Sequence, residues 1–247
     1  MSLSMPTIRG ALRRLKLGFQ VACFPNLFYL YPKNLYLYHN LSYSQEGEDM
    51  MLARFFSEQT TGFYVDVGAH HPQRFSNTYY FYLKGWRGIN IDAMPGSMEI
   101  FNKLRPNDIN LEFPIYDSNQ TLTYYQFNEP ALNGFCEKTT HERDGLKHYK
   151  IIAQKKLPTY TLAEILDKYL PVHQKIDFLN IDVEGLDYQV LKSNNWQKYR
   201  PKIVLIEDFN LSSLKGIDES KLAVFMDKQD YQLYGKSVCT LIFTAKS

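Results

Sequence analysis

The stretch GFYVDVGAHHPQRFSNTYYFYLKGWRGINIDAMP at residues 62–95 decides the fold. It contains two short apolar runs, GFYVDV at 62–67 and WRGINID at 86–92. Between them, SNTYYFYLKG at 76–85 begins with a capping residue and ends in glycine, which predicts a helix. A buried strand, a helix and a second buried strand in this order predict a parallel sheet with crossover helices.

The same alternation continues through the rest of the chain. Further helices are expected at 47–56, 96–105, 161–170, 185–193 and 219–229, and further strands at 109–116, 121–127, 176–182, 202–208, 231–235 and 238–245. We expect 121–127 to form a hairpin with 109–116, and the last two strands to form a terminal antiparallel hairpin. The predicted fold class is α/β, with a Rossmann-like, mostly parallel sheet of about seven strands and an antiparallel C-terminal hairpin.

The composition fits one large domain with a short extension. The chain has 247 residues, and 45% of them are hydrophobic, which is enough for a full core. The formal net charge of +2 gives no indication of a nucleic-acid-binding protein. Cys23, Cys136 and Cys239 are widely spaced and form no C-x-x-C pair. Reduced thiols in a cytoplasmic protein are therefore expected, rather than a zinc site or a disulfide framework.

The N-terminal segment has a different pattern from the rest of the chain. Apolar residues recur at helical spacing in residues 7–22, and the basic residues fall largely on another face. Such a basic amphipathic helix can lie on an anionic membrane surface. A helix packed on the domain and an arm that binds a partner are the alternatives. We predict an N-terminal basic amphipathic and aromatic extension at 1–42 and a folded domain at 43–247.

Acidic residues and glycines follow the first two strands, where open α/β sheets bind ligands. Gly68 allows a tight turn after the first strand, and the Asp66 carboxylate suits an ammonium group. His70 and Gln73 stand where the dinucleotide fingerprint has its second and third glycines, which disfavours an NAD-type oxidoreductase. Asp92 ends the second strand, where a carboxylate can accept hydrogen bonds from both ribose hydroxyls. The alternative for Asp92 is a capping role in the following turn.

Two later strands carry carboxylates toward the same edge of the predicted sheet. Asp182 and Glu184 follow the strand at 176–182, and Glu207 and Asp208 end the next one. Such a cluster could bind a hard divalent cation through oxygen ligands or supply a general base. The alternative is a structural role at a helix N-terminus, which favours negative charge.

Beside these strand ends, several runs of the sequence resemble the FkbM family of methyltransferases. They are YSQEGEDMMLARFF (43–56), the stretch at 62–95, RPNDINLEFPIY (105–116), TYTLAEIL (159–166), IDFLNIDVEGLDYQVLKSNNW (176–196) and RPKIVLIE (200–207). The resemblance covers residues 43–208 in the right order. It implies a Rossmann-like methyltransferase fold, S-adenosylmethionine as the methyl donor and O-methylation. It also implies an acceptor among the sugars of polysaccharides and glycolipids or the hydroxyls of polyketides.

The resemblance also implies roles for individual residues. Together with the acidic residues and glycines at the strand ends, these residues make up the expected site. The expected cofactor-binding residues are Ser44, Gln45, Glu46, Asp66, Gly68, Ala69, Asn77, Asp92, Ala93, Asp117 and Asp182. The expected catalytic residues are Asp182, Glu184 and His70, and the expected ligands of an Mg²⁺ or Mn²⁺ ion, if one is used, are Asp182 and Glu207. His70 and His71 depart from the family pattern, in which small residues or Asn are common at these positions.

The expected function is therefore S-adenosylmethionine-dependent O-methylation of a sugar hydroxyl in a polysaccharide or glycolipid. A polyketide or other small-molecule hydroxyl is the alternative acceptor. Asp182 is the first choice for the base or metal ligand, and His71, His141 and His148 are weaker candidates. The polar, aperiodic segment 128–150 is expected to be a long loop that covers the acceptor.

Two rival functions belong to other classes of protein. A catalytically silent nucleoside-binding scaffold or membrane adaptor would keep the fold, but the intact set of Asp66, Asp92 and Asp182 argues against it. A nucleic-acid methyltransferase is disfavoured because no basic stripe is present. We expect a cytoplasmic enzyme, held at the inner membrane face by residues 7–22 if its acceptor is carried on a lipid.

Overall fold

Buried strands alternate with partly buried helices in the computed structural model of the chain, which describes residues 40–209 and 213–246. The amphipathic helix expected at 7–22 lies outside the described residues, as does Cys23. The division of the chain into an extension and a domain therefore stays a prediction. Within the described ranges, no helix is long and apolar enough to cross a membrane.

Nine strands are present in the described part of the chain, and seven of them form the main sheet. In chain order the strands are β1 Phe63–Val67, β2 Arg87–Asp92, β3 Ile109–Glu112, β4 Thr121–Phe127, β5 Ile151–Pro158, β6 Phe178–Ile181, β7 Ile203–Glu207, β8 Tyr231–Lys236 and β9 Thr240–Ala245. The main sheet has the order β3-β2-β1-β6-β7-β9-β8. Its first five strands run parallel, and β9 and β8 add an antiparallel hairpin at one edge. The predicted Rossmann-like fold class is confirmed.

Seven α-helices join these strands in the described residues, and six of them lie where the sequence predicts helices. They are α1 Glu48–Phe55, α2 Tyr79–Leu83, α3 Met98–Leu104, α4 Glu137–Arg143, α5 Leu162–Tyr169, α6 Asp187–Ser193 and α7 Lys221–Lys228. α5 begins with a full capping box, in which Thr161 and Glu164 each satisfy a backbone N–H of the other. Ser220 caps α7 in a similar way through the backbone N–H of Ala223.

The core lies on both faces of the main sheet. On one face, Phe63, Val65 and Val67 of β1 belong to a buried cluster that includes residues of α5 and α6. On the other face, Tyr64 packs in a second cluster with Phe81, Trp86, Phe178 and the buried side of α1. Because β1 is covered on both sides, all five of its residues are buried, which explains its almost continuous apolar run.

Two expectations about the middle of the chain were wrong. The hairpin partner of β4 is β5, and β3 pairs instead with β2 in the parallel sheet. β3 ends at Glu112, shortly before Pro114, and its pairing is with β2 in the main sheet. β5 was not predicted from the sequence, because most of its residues are exposed and its apolar alternation is weak.

The segment 128–150 is also more ordered than a loop. It contains a 3₁₀ helix at Pro130–Leu132 and the helix α4. Only Thr140 of α4 is buried, so no apolar periodicity marks this helix in the sequence. The segment connects β4 to β5, and the two strands form a small antiparallel sheet of their own.

Candidate functional site

A pocket opens at the carboxyl ends of β1, β2 and β6, on both sides of the point where the strand order reverses. It encloses about 980 Å³, including its open mouth. Parallel α/β sheets bind their ligands at this place. The predicted site residues that line it are Gln45, Asp66, Gly68, Ala69, His70, Asn77, Asp92, Ala93, Asp182 and Glu184.

Gly68 sets the shape of the turn after β1. Its φ is +84°, and a Cβ atom there would lie 1.6 Å from the carbonyl oxygen of Asp182. The backbone N–H groups of Gly68 and Ala69 both donate to the carbonyl of Ile91, at 2.9 and 3.0 Å. The glycine therefore allows three strand ends to meet, and the close approach it permits is to the protein's own backbone.

His70 follows this turn in the left-handed region, with φ +50°. Its backbone N–H donates to Asp92 Oδ2 at 2.8 Å. The ring atom Nε2 is buried and has no hydrogen-bond partner among the described residues. Burial, together with the neighbouring charges of Arg74 and His71, lowers the pKa of His70 to about 4. The imidazole is therefore neutral near pH 7 and can accept or donate one hydrogen bond to a bound molecule.

Asp92 caps the turn after β2 and also faces the pocket. Its Oδ1 accepts from the backbone N–H of Met94 at 2.7 Å, which caps the turn after β2, while Oδ2 holds the backbone of His70. The carboxyl group lines the pocket, and burial raises its pKa. Each oxygen keeps a lone pair that a ligand hydroxyl can use.

Asp66 is held from two sides. Its Oδ1 accepts from Asn180 Nδ2 and its Oδ2 from Thr78 Oγ1, both at 2.9 Å. Asn77 Nδ2 donates to Asn180 Oδ1, also at 2.9 Å, while Asn77 Oδ1 is buried without a partner in the described structure. The SNT tripeptide therefore contributes two side chains that orient the polar wall of the pocket.

Three carboxyl groups form what we call the acidic rim: Asp182, Glu184 and Glu207. One oxygen of each lies within 4.8 Å of the others, which could suit a divalent cation. Burial raises the pKa of Asp182 and that of Glu184 to about 7, with repulsion between the two groups adding to the shift of Glu184. Burial and the charge of Asp182 raise the pKa of Glu207 well above its ordinary value. Glu207 does not line the pocket itself, but one of its carboxyl oxygens lies within 4.8 Å of an oxygen of Asp182.

Arg143 connects the acidic rim to α4. Its guanidinium forms an ion pair with Glu184, and both side chains are about four-fifths buried. Glu184 has φ +58°, in the region that most residues avoid. A second ion pair, Arg74 Nη1 to Glu129 Oε1 at 2.9 Å, joins the start of the segment 128–150 to the loop after β1. The segment is thus attached to the pocket at both of its ends.

Some predicted site residues lie outside the pocket lining and have other partners. Ser44 Oγ accepts from the backbone of Gly47 and donates to Asp49, which organises the start of α1. The Glu46 carboxylate accepts from Ser237 and from the backbone of Cys239, at 2.7 and 2.8 Å, and so holds the C-terminal hairpin.

Two further acidic candidates also have partners outside the pocket lining. Asp117 pairs with Lys192 on α6 at 2.6 Å. The backbone N–H of Asp208 donates to the carbonyl of Cys239.

The weaker histidine candidates also lie outside the pocket lining. His71 Nδ1 accepts from the backbone N–H groups of Gln73 and Arg74, so this ring stabilises a turn. His141 and His148 are exposed on the segment 128–150.

Several residues of the pocket lining were not predicted from the sequence, because their contacts depend on the tertiary structure. The segment 128–150 contributes Pro130, Ala131, Asn133, Gly134 and Phe135, while Phe75, Met94, Phe113, Ile115 and Tyr124 come from elsewhere in the chain. The only signal available was the polar, aperiodic sequence of 128–150, which predicted a covering segment but none of its contacts.

Comparison with known proteins agrees with this geometry. A search of curated proteins finds no match to the sequence. The family model described as the methyltransferase FkbM domain matches residues 66–233, which is more than half of the chain. The matched region begins at Asp66 in the pocket wall and ends in β8, so it includes the pocket-forming ends of β1, β2 and β6. The chain therefore belongs to the FkbM methyltransferase family.

Proposed function

We propose that the chain transfers the methyl group of S-adenosylmethionine to a hydroxyl group of a sugar in a polysaccharide or glycolipid. One observation carries the proposal. The described pocket lining contains four acidic residues, Asp66, Asp92, Asp182 and Glu184, and neither lysine nor arginine. A lining that carries carboxyl groups and no basic side chain suits a cationic ligand and opposes a dinucleotide with its phosphates.

The residues present fit the proposed methyl donor. Asp92 has free lone pairs for ribose hydroxyls, and Asp66 faces the same pocket one strand away. His70 Nε2 and Asn77 Oδ1 are buried polar atoms that still need partners, which a bound ligand can supply. S-adenosylmethionine supplies a methyl group on a cationic sulfur, which is the electrophile of the reaction.

The acidic rim supports a hydroxyl acceptor. An alcohol is a poor nucleophile, and a carboxylate within hydrogen-bond distance can remove its proton as transfer proceeds, which typically contributes about 10²–10⁴-fold. Asp182 and Glu184 both line the pocket and provide such groups. A divalent cation held by Asp182, Glu184 and Glu207 would serve the same purpose by lowering the pKa of the hydroxyl.

The mouth of the pocket supports a ring-shaped acceptor. Phe75 is 42% exposed and stacks beside His70, with ring centroids 6.4 Å apart and planes inclined by 21°. Phe135 lines the same pocket and packs against Tyr124. Partly exposed aromatic rings of this kind can pack against the apolar face of a sugar ring.

A panel experiment tests the proposal. Methyl transfer from labelled S-adenosylmethionine is measured across lipid-linked glycans, soluble glycans, polyketides and small phenols. We expect incorporation into a glycan hydroxyl, stable to alkali as an ether. Labelling of a polyketide or phenol with no labelling of any glycan would reject the sugar acceptor but keep the methyl donor. Absence of donor binding by calorimetry would reject the proposal at its first step.

A further inference from the structure

A buried polar network lies beneath the pocket, on the face of β1 that carries Asp66. Arg105 is fully buried, and its Nε donates to Asp108 Oδ2 at 2.8 Å. Its Nη2 donates to the Tyr64 hydroxyl at 2.7 Å, and its Nη1 donates to Thr78 Oγ1 at 2.9 Å. The Thr78 hydroxyl then donates to Asp66 Oδ2 at 2.9 Å. Two consecutive hydrogen bonds thus connect a buried guanidinium to a carboxylate in the pocket wall.

The charges in this network do not balance. Asp108 is fully buried against Arg105 and neutralises it directly. Asp66 contacts the same guanidinium only through Thr78, so with all three groups ionised the network carries one excess negative charge. A buried carboxylate without a compensating cation is costly. A cationic group bound beside Asp66 would supply the missing charge.

The geometry also orients the Asp66 carboxylate toward a ligand. Thr78 and Asn180 each hold one oxygen, and both donors are buried. Each oxygen keeps a lone pair for another donor. Burial raises the pKa of Asp66, while Asn180, the charge of Arg105 and Thr78 oppose that rise.

We propose that Arg105 is a positioning residue that acts through Thr78 to keep Asp66 oriented and ionised for the ammonium group of the methyl donor. The inference rests on the proposed cofactor. A purely structural ion pair between Arg105 and Asp108 would need neither the Thr78 hydroxyl nor a carboxylate in the pocket wall.

The test uses two nucleosides that differ at the amino-acid end. S-adenosylhomocysteine carries the ammonium group, whereas 5′-methylthioadenosine lacks it. Thr78→Val keeps the shape of the side chain and removes the hydroxyl, and Thr78→Ser restores it. Thr159→Val is the matched control, because Thr159 is also buried and its hydroxyl bonds the backbone of Ser118 and Gln120, outside the pocket lining.

We expect Thr78→Val to weaken S-adenosylhomocysteine binding by about tenfold or more, as for the loss of a hydrogen bond to a charged group. Binding of 5′-methylthioadenosine should change less than about threefold, and Thr78→Ser should recover the affinity for S-adenosylhomocysteine. Because the Thr78 hydroxyl opposes the rise in the pKa of Asp66, its loss in Thr78→Val should make the affinity for S-adenosylhomocysteine fall more steeply with decreasing pH than in the wild-type protein. Thr159→Val should show neither effect.

Two results would overturn the inference, and they are distinguishable. Equal losses for both nucleosides in Thr78→Val, with an unchanged pH profile, would mean that the network only supports the pocket. If the wild-type protein bound neither nucleoside, the proposed cofactor would be rejected, and the proposed role of Arg105 would be rejected with it. Thermal unfolding of each variant verifies that the protein used in the binding assay is folded.

Discussion

Single residues in this pocket support the fold and at the same time present polar groups to the pocket. Asp92 caps the turn after β2 and holds the backbone of His70, yet its carboxylate also faces the pocket. Glu184 pairs with Arg143 and belongs to the acidic rim. A substitution at such a residue can change both the stability of the fold and the binding or turnover of a ligand. Folding must therefore be measured for each variant alongside binding or turnover.

Asp92→Ala should weaken the binding of S-adenosylmethionine by about 1.5–3 kcal/mol, as expected for lost hydrogen bonds to a charged group. Isothermal titration calorimetry measures the change, and circular dichroism confirms that the sheet is retained. Because Asp92 also accepts two backbone N–H groups, Asp92→Asn serves as the control that keeps one acceptor oxygen for the turn after β2. Unchanged affinity in Asp92→Ala would remove Asp92 from the ribose position.

Asp182→Asn should keep the fold and the cofactor affinity but lose most turnover, by about 10²-fold or more if Asp182 is the base. The substitution preserves shape and removes both charge and basicity. Asp167→Asn is the control, since Asp167 is an exposed carboxylate paired with Lys198 and lies outside the pocket lining. Full activity of Asp182→Asn in the labelled-donor assay would contradict the assignment.

Chelation separates the two roles open to Asp182. If the acidic rim holds a metal ion, EDTA should abolish turnover, and added Mg²⁺ or Mn²⁺ should restore it. Turnover that is insensitive to chelator would exclude the metal and leave Asp182 as a base.

At the scale of elements, the ends of the parallel strands create the site. β1, β2 and β6 end side by side, and their last residues and the turns that follow form one wall of the pocket. The opposite wall comes from the segment 128–150, which ion pairs attach at Glu129 and Arg143. A pocket built in this way depends on the turn at Gly68, where all three strand ends meet.

Gly68→Ala should destabilise the protein by more than about 3 kcal/mol, because the new Cβ would overlap the carbonyl oxygen of Asp182 and the backbone would have to move. Gly96→Ala is the matched control, since Gly96 also has a positive φ, of +85°, but has no atom within 4 Å of the added Cβ. It should cost only about 1–2 kcal/mol, the strain of a left-handed residue. Chemical denaturation of both variants measures the difference in their free energies of unfolding. Equal losses would show that the positive φ alone, and not the close contact with Asp182, requires a glycine at position 68.

At the scale of the whole molecule, the open question is where the enzyme finds its acceptor. We propose that residues 7–22 bring it to an anionic membrane surface, where a lipid-linked glycan would be within range. The segment contains four basic residues, and each can contribute about 1 kcal/mol of attraction near such a surface.

Co-sedimentation with liposomes tests this proposal. The full chain should bind anionic vesicles more strongly than neutral ones, and salt should weaken the binding. A chain without residues 1–22 should lose vesicle binding but retain methyl transfer to a soluble acceptor. Equal binding to neutral and anionic vesicles, or no binding, would contradict the proposed role of the segment.

The sequence by itself determined the order of strands and helices and the residues that follow each strand. Apolar periodicity and glycine turns are local, so 62–95 alone predicted β1, α2 and β2 and set Asp66 and Asp92 at their ends. The same local reasoning failed for β5 and α4, whose exposed residues have no apolar period.

Only the tertiary structure decided which distant side chains meet. Asp66 and Asn180 are 114 positions apart, and the Arg105 network reaches Asp66 through Thr78. Arg143 pairs with Glu184 because β4 and β5 return the segment 128–150 to the pocket. The physical reason is that a residue's local pattern reports its own burial and backbone preference, whereas the partner of a buried polar group is fixed only when all the elements have packed together.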